Sequence, residues 1–238
     1  MIRIDKFLCD MEIGSRSQVK DYIKKGQVAV NGVVVKSADS KIDENRDEVT
    51  FQGRVLSFQK FHYYLLHKPA GVITATKDGK DKTVMDLLIG AEGKNLSPVG
   101  RLDKDTEGLL LITNDGALSH NLLSPKKHVD KTYYVECEGF IDEVKIRRLE
   151  EGIDIGDEKP TLPSKVKLLA QKENTYQIEL TIHEGRFHQV KRMIEAVNGK
   201  VTYLKRLSFG TLVLEDSLPK GAYRALTKEE IAALSGAK

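Results

Sequence analysis

Residues 100–116 read Gly-Arg-Leu-Asp-Lys-Asp-Thr-Glu-Gly-Leu-Leu-Leu-Ile-Thr-Asn-Asp-Gly. The apolar run Leu109, Leu110, Leu111 and Ile112 is expected to be a buried strand, rigid enough to fix the loop that precedes it. That loop carries Asp103, with a cation two residues upstream in Arg101 and a glycine, Gly108, where backbone can approach closely. A carboxylate beside an arginine on such a loop serves either as a nucleophile or acid/base group, or as half of a structural salt bridge. The segment alone leaves both open.

Around this strand, further elements are expected in both directions. Tyr63 to Leu66 form a buried strand ended by Lys68-Pro69 and Gly71, and Thr83 opens a short helix at Met85. Residues 117–123 are helical until Ser124-Pro125, and Lys131-Thr-Tyr-Tyr-Val-Glu-Cys is a strand of aromatic and β-branched residues. A helix over 144–151 ends at Gly152, strands cover 166–169 and 176–182, and a helix runs from Phe187 to Val197, closed by Asn198-Gly199. Two strands within 201–215 and a terminal helix capped by Thr227 and Glu230 complete the set. Helices fall irregularly among the strands, with no repeated strand–helix–strand rhythm. The fold class is therefore α+β with a mixed, largely antiparallel sheet.

The first 58 residues form a separate small α/β head. Ile4, Phe7, Leu8 and Met11 recur at helical spacing, and Gly14 ends that helix. Ser15 and Gln18 form a capping box for a second helix, with Val19, Tyr22 and Ile23 inward. Arg16, Lys20 and Lys24, extended by Lys25, make an outward cationic stripe ended by Gly26. Asn31-Gly32 between valine-rich segments marks a β-hairpin. Short strands follow at 49–51 and 55–58, and the expected division is 1–58, a linker at 59–62, and a larger domain over 63–238.

Composition sets the outer bounds. Of 238 residues, 40% are hydrophobic and 31% charged, which suits a globular protein, and the net charge of +3 permits a nucleic-acid partner without requiring one. Cys9 and Cys137 are too few and too far apart for a disulfide framework or zinc knuckle. The start carries no signal-peptide pattern and no apolar run approaches ~18 residues, so a cytoplasmic location away from membranes is expected.

Three clusters stand out: Arg101/Asp103, Lys131-Thr-Tyr133, and Glu184-Gly-Arg-Phe-His-Gln-Val-Lys-Arg-Met193. In the last, Phe187, His188 and Lys191 share one face of the expected helix, so Lys191 points inward and needs a carboxylate such as Asp103. Metals fit poorly. Asp103-Lys-Asp-Thr-Glu-Gly imitates the start of a calcium loop, but its twelfth position is Asn114. His183 and His188 straddle a glycine turn, and no glycine-rich phosphate loop occurs. No metal and no cofactor is expected. Asp103 and Asp105 lie two apart in one loop, whereas carboxylate pairs of glycosidases face each other ~5–9 Å apart from separate elements.

The head, from Gly-Ser-Arg-Ser to Val-Ala-Val-Asn-Gly, resembles the S4 RNA-binding domain. Lys68-Pro-Ala-Gly71, the 100–109 segment, Lys131-Thr-Tyr and the 184–193 segment together resemble the RsuA-type family of ribosomal RNA pseudouridine synthases. These enzymes break the N1–C1′ bond of a uridine, turn the base, and rejoin it through C5. The resemblance implies that Asp103 is the catalytic aspartate, attacking the base or C1′, or steering the detached uracil. It implies that Lys191 is the basic partner of Asp103, and that Tyr133 stacks on the target base and can act as the base during isomerisation. It also implies that Arg101 fills the space left by a flipped nucleotide. Asp105, Thr106, Arg186, His188 and Gln189 are taken as supporting the site, and Arg16, Lys20, Lys24 and Lys25 as gripping RNA backbone.

The short start at Met1, the lack of a basic C-terminal tail and the bulky residue after Lys131-Thr-Tyr make the small-subunit (16S) member the expected match. The expected partner is therefore 16S rRNA or a pre-30S particle, bound by a monomer. A synthase acting on 23S rRNA, or a non-catalytic rRNA-binding assembly factor of the same build, is the alternative. The polar stretch Thr74 to Lys82 is assigned to a mobile loop near RNA. If the head grips phosphates, removing residues 1–58 weakens RNA binding and flattens its salt dependence by about 0.7–0.9 in log–log slope per lost contact. A binding titration at several salt concentrations reads this, and an unchanged slope refutes it.

Overall fold

A computed structural model describes residues 1–44, 46–56, 60–124 and 127–236. The chain divides into two compact units, Met1–Lys60 and Phe61–Lys238. In the first, β1 (Ile2–Arg3) leads into α1 (Ile4–Asp10), and Ser15 caps α2 (Arg16–Lys24) through the reciprocal bonds of a capping box with Gln18. Strands β2 (Val28–Val30) and β3 (Val33–Val34) flank Asn31 and Gly32, both at positive φ, as the two-residue hairpin requires. Strands β4 (Lys41–Ile42), β5 (Val49–Phe51) and β6 (Arg54–Leu56) follow. The strand order is β3-β2-β5-β6, with β1 and β4 paired separately. Ile4, Phe7, Leu8, Val19 and Ile23 from the helices meet Val28 and Val49 in one core.

The second unit begins with β7 (Tyr63–Lys68), a 3-10 turn at Val84–Leu87, and β8 (Ser97–Pro98). Next come β9 (Glu107–Thr113), α3 (Gly116–Leu123), β10 (Lys131–Glu138) and α4 (Glu143–Glu151). The chain continues through β11 (Lys165–Lys172), β12 (Thr175–Ile182), α5 (Gln189–Glu195) and β13 (Lys200–Phe209). It ends with β14 (Leu212–Val213), β15 (Tyr223–Ala225) and α6 (Lys228–Gly236). One large sheet has the order β11-β12-β10-β13-β9-β7-β15, with β14 beside β13 and β8 beside β9.

Both faces of the centre of this sheet are covered, which explains why β9 is apolar throughout rather than alternating. Leu110 and Ile112 join Tyr133, Val135 and the α5 residues Val190, Met193 and Ile194 on one side. Leu109 and Leu111 join Phe209 and Leu118, Leu122 and Leu234 of α3 and α6 on the other. Every pairing in the sheet is antiparallel except β13 with β9, which run parallel through Lys205↔Glu107 and Arg206↔Gly108. That short parallel contact joins the β11-β12-β10-β13 half of the sheet to the β9-β7-β15 half.

The helix expected from Phe187 is shorter at its start. His188 has a left-handed backbone (φ 49°) and caps α5, which begins at Gln189. Phe187 lies outside the helix and is 75% exposed, so it shares no inward face with Lys191. The expected end of a strand at Ser57 and Phe58, the linker residue Gln59 and the helix stop at Pro125 lie outside the described residues. Thr74 is no part of a loose loop: it is buried, and its hydroxyl donates to the Leu102 carbonyl at 2.7 Å while accepting from the Leu102 amide.

Gly108 sits at φ +110°, and a Cβ there would overlap the Arg206 backbone. Gly108→Ala is expected to cost about 2 kcal/mol or more, combining positive-φ strain with overpacking at a strand junction. Thermal or urea unfolding of the variant measures the loss.

Candidate active site

The loop between β8 and β9 is held from below by a lysine. Lys68, the last residue of β7, is completely buried. Its ammonium donates to the carbonyls of Thr106 (2.7 Å), Asp103 (2.9 Å), Pro69 (3.1 Å) and Lys104 (3.4 Å). Burial pulls its pKa down to about 8, while Asp105, Asp103 and Glu107 hold it up. The Thr106 amide donates to the Asp103 carbonyl at 3.1 Å, and Thr74 ties down Leu102. Asp103 thus stands on a turn fixed at both ends by strands and at its centre by a buried cation.

From the other half of the sheet, α5 brings Lys191. Its Nζ lies 3.2 Å from an Asp103 carboxylate oxygen and 2.7 and 2.8 Å from the two oxygens of Asp105. Burial opposes its charge, but the bonds to Asp105 and Asp103 prevail and hold the ammonium above the ordinary lysine value. The same bond holds the Asp105 carboxyl below the usual carboxylate range, against a burial contribution. His188 Nε2 stands 3.5 Å from the second Asp103 oxygen. Lys191 therefore bridges both aspartates, and its bond to Asp105 is the shorter.

Tyr133 projects from β10 into the same pocket, 7% exposed, between Leu102, Ile182 and Val190. Arg101 lines the mouth, exposed and with neither ion pair nor hydrogen bond among the described residues. The pocket opens into a groove of about 700 Å³ that continues past Phe187, Lys131 and Arg206. Phe187 stacks on the His188 ring at 3.8 Å between centroids.

Arg186 and Gln189 face a different task. Glu184 accepts from Arg186 Nε and Gln189 Nε2, both at 2.9 Å, and from the Leu162 amide at 3.0 Å. Arg186 also donates to the carbonyls of Lys159 and Pro160. These bonds fix the strand-to-helix junction that aims α5. In the first unit, Arg16, Lys20, Lys24 and Lys25 are all exposed.

Sequence reasoning missed three side chains here. Lys68 was noticed only as part of a motif, although a lysine closing an otherwise apolar strand signals a buried cation. Thr74 gave no signal, because its partner is a backbone group. Arg206, 2% exposed, sits in a strand whose alternation could have placed it inward. Among the described residues, no group of three His, Cys, Asp or Glu side chains could hold a metal ion, and no helix is long and apolar enough to cross a membrane.

If Lys68 positions the Asp103 turn, Lys68→Met lowers turnover by about 10²-fold, the cost of a displacement near 1 Å. Folded Lys68 binds fewer protons than the unfolded chain between pH 8 and the ordinary value of 10.5, so its contribution to stability rises with pH across that window. Urea unfolding across that range shows the rise in wild type and its reduction in the variant.

Two families match this architecture: RNA pseudouridylate synthase over residues 62–196 and the S4 domain over residues 2–47. An uncharacterized RNA pseudouridine synthase of Bacillus subtilis is 45% identical over 97% of both chains. A ribosomal small subunit pseudouridine synthase A of Vibrio vulnificus is 42% identical, over 97% of this chain and 98% of its own. A ribosomal large subunit pseudouridine synthase B of Bacillus subtilis is 40% identical, over 97% and 94%. A crystal structure of a pseudouridylate synthase superposes with a TM-score of 0.68 at 38% identity, over 98% of this chain and all of the other. The likeness covers both the synthase unit and the S4 head and runs along nearly the full length, and the chain belongs to the RsuA-type family of ribosomal RNA pseudouridine synthases.

Proposed function

We propose that this isomerase converts one uridine of 16S rRNA to pseudouridine, with Asp103 as its catalytic aspartate. The observation that carries the role of Asp103 is its carboxylate, fixed on the Lys68-bound turn, 3.2 Å from Lys191 and in the pocket of Tyr133. The uracil of a flipped-out uridine enters between Tyr133 and Asp103, with the tyrosine ring against the base. The reaction breaks N1–C1′, joins C5 to C1′, and moves a proton from C5 to N1, with no net redox change. Tyr133 is the group placed to take the C5 proton.

Lys191 gives the Asp103 carboxylate a cationic partner at 3.2 Å. Because Asp105 holds the same ammonium at 2.7 Å, the cation stays paired if the Asp103 charge is consumed in bond formation. Arg101, without an ion pair or hydrogen bond among the described residues, inserts where the flipped nucleotide was stacked, offsetting part of a cost of a few kcal/mol. Arg16, Lys20, Lys24 and Lys25 hold the RNA backbone. Asp103, Lys191 and Tyr133 come from one chain, which supports a monomer. An rRNA substrate and two free cysteines support a cytoplasmic location.

The small-subunit target rests on the 42% identical small-subunit relative, and the 40% identical large-subunit relative favours 23S rRNA instead. Incubation with 16S and 23S rRNA, followed by carbodiimide treatment and primer extension, is expected to give one new stop in 16S. A stop confined to 23S moves the target to the large subunit. Binding without any stop leaves an rRNA-binding protein. Asp103→Asn is expected to lower turnover by about 10²–10⁴-fold or more while RNA affinity stays unchanged. Appreciable residual turnover removes Asp103 from its role.

A further inference from the structure

Beyond the aspartate pocket, the groove floor holds two cations that the reaction does not use. Lys131 and Arg206 lie on neighbouring strands, β10 and β13, where Arg206 pairs with Tyr133 and Lys131 with Phe209. Both are buried, 8% and 2% exposed, and both line the groove that contains Asp103. Both approach one aromatic ring: the Lys131 ammonium is 5.5 Å and the Arg206 guanidinium 5.1 Å from the centre of Phe209.

Neither cation has a carboxylate partner among the described residues. Lys131 Nζ donates only to the Val129 carbonyl at 2.9 Å. Arg206 Nε donates to the Leu109 carbonyl at 2.7 Å, and its Nη2 is buried with no hydrogen-bond partner. The two carboxylates that act on Lys131 are engaged elsewhere. Asp130 is 2.7 Å from His183 Nδ1, and Glu184 is bound by Arg186 and Gln189. Burial, with repulsion from Arg206, pulls the Lys131 ammonium down to about 8. Two adjacent buried charges of one sign, bare of counter-ions, are costly in the free protein. An anion seated between them removes that cost, and the Phe209 ring offsets only part of it.

We infer that Lys131 and Arg206 form a binding site for one phosphodiester of the RNA strand that carries the target uridine. This rests on the reading above that a flipped nucleotide occupies the Tyr133 pocket. Tyr133 is two residues from Lys131 on one strand face and directly opposite Arg206. A phosphate of the flipped nucleotide or its neighbour therefore falls within reach of both cations while the base sits on the tyrosine. Guanidinium and ammonium groups together suit a phosphate, and the site fixes strand register rather than reading sequence.

The test measures binding, so it is independent of turnover. A single-stranded 16S rRNA oligonucleotide bound by the full chain is made with one neutral methylphosphonate linkage, moved one position at a time. Affinities are measured for wild type, Lys131→Met and Lys131→Arg. Lys131 is chosen because Arg206 also bonds the Leu109 carbonyl and its loss can unfold the sheet; circular dichroism verifies the fold of each variant. One linkage is expected to weaken wild-type and Lys131→Arg binding by about 5–10-fold, the scale of a charge-assisted bond. That penalty is expected to vanish in Lys131→Met, whose log–log salt slope falls by about 0.7. Penalties that are the same at every linkage in wild type and Lys131→Met overturn the site, including as a pocket for a free anion. Absence of pseudouridine together with a vanished penalty refutes the catalytic reading and leaves the phosphate site standing.

Discussion

The close contact between the backbones of Gly108 and Arg206 is the constraint on which the catalytic unit depends. Two antiparallel assemblies meet there, and among the named strands of the described residues this is the parallel pairing. A side chain on residue 108 would hold them apart. The same contact sets the geometry of the candidate site, because Asp103 stands on the loop leading into β9, which begins at this junction, and Lys191 on the helix that precedes β13. A shift of β9 against β13 would change the 3.2 Å separation of carboxylate and ammonium directly.

Three lysines of this unit show how differently a protein can use one cation. Lys68 is surrounded by carbonyls, so it organises backbone and has no carboxylate to itself. Lys191 is shared by two carboxylates, and its bond to Asp105 favours the charged form of that group. Lys131 has a single carbonyl and a cationic neighbour. Burial opposes the charge of all three, and what differs is the compensation: dipoles for the first, formal charges for the second, an aromatic ring for the third.

Much of the fold was legible because local patterns and tertiary demands agreed. The Ser15/Gln18 box, the Asn31-Gly32 turn and the apolar run of β9 each have one physical reading, and the structure forms all three. The absence of a strand–helix rhythm correctly indicated a largely antiparallel sheet. The start of α5 was misread because Phe187 and His188 fit a helical spacing, and spacing cannot reveal that residue 188 turns left-handed. The bridge from Lys191 to Asp103 was expected, but its shorter bond to Asp105 was not, since a loop's side-chain directions are not periodic. Lys68, Thr74 and Arg206 were passed over for a common reason: each acts on backbone atoms, which every sequence has.

The junction also dictates when the site can exist during synthesis. Lys191 and Asp105 are 86 residues apart, and the bond from Arg206 to Leu109 spans 97. Contacts of such separation close late, because chain entropy is lost before they return anything. The head is a compact unit of its own, made from the first 60 residues. A nascent chain therefore finishes its S4 cations early and lacks a paired Asp103 until β13 has emerged. For most of its translation the polypeptide is an RNA-binding segment carrying an unassembled catalyst.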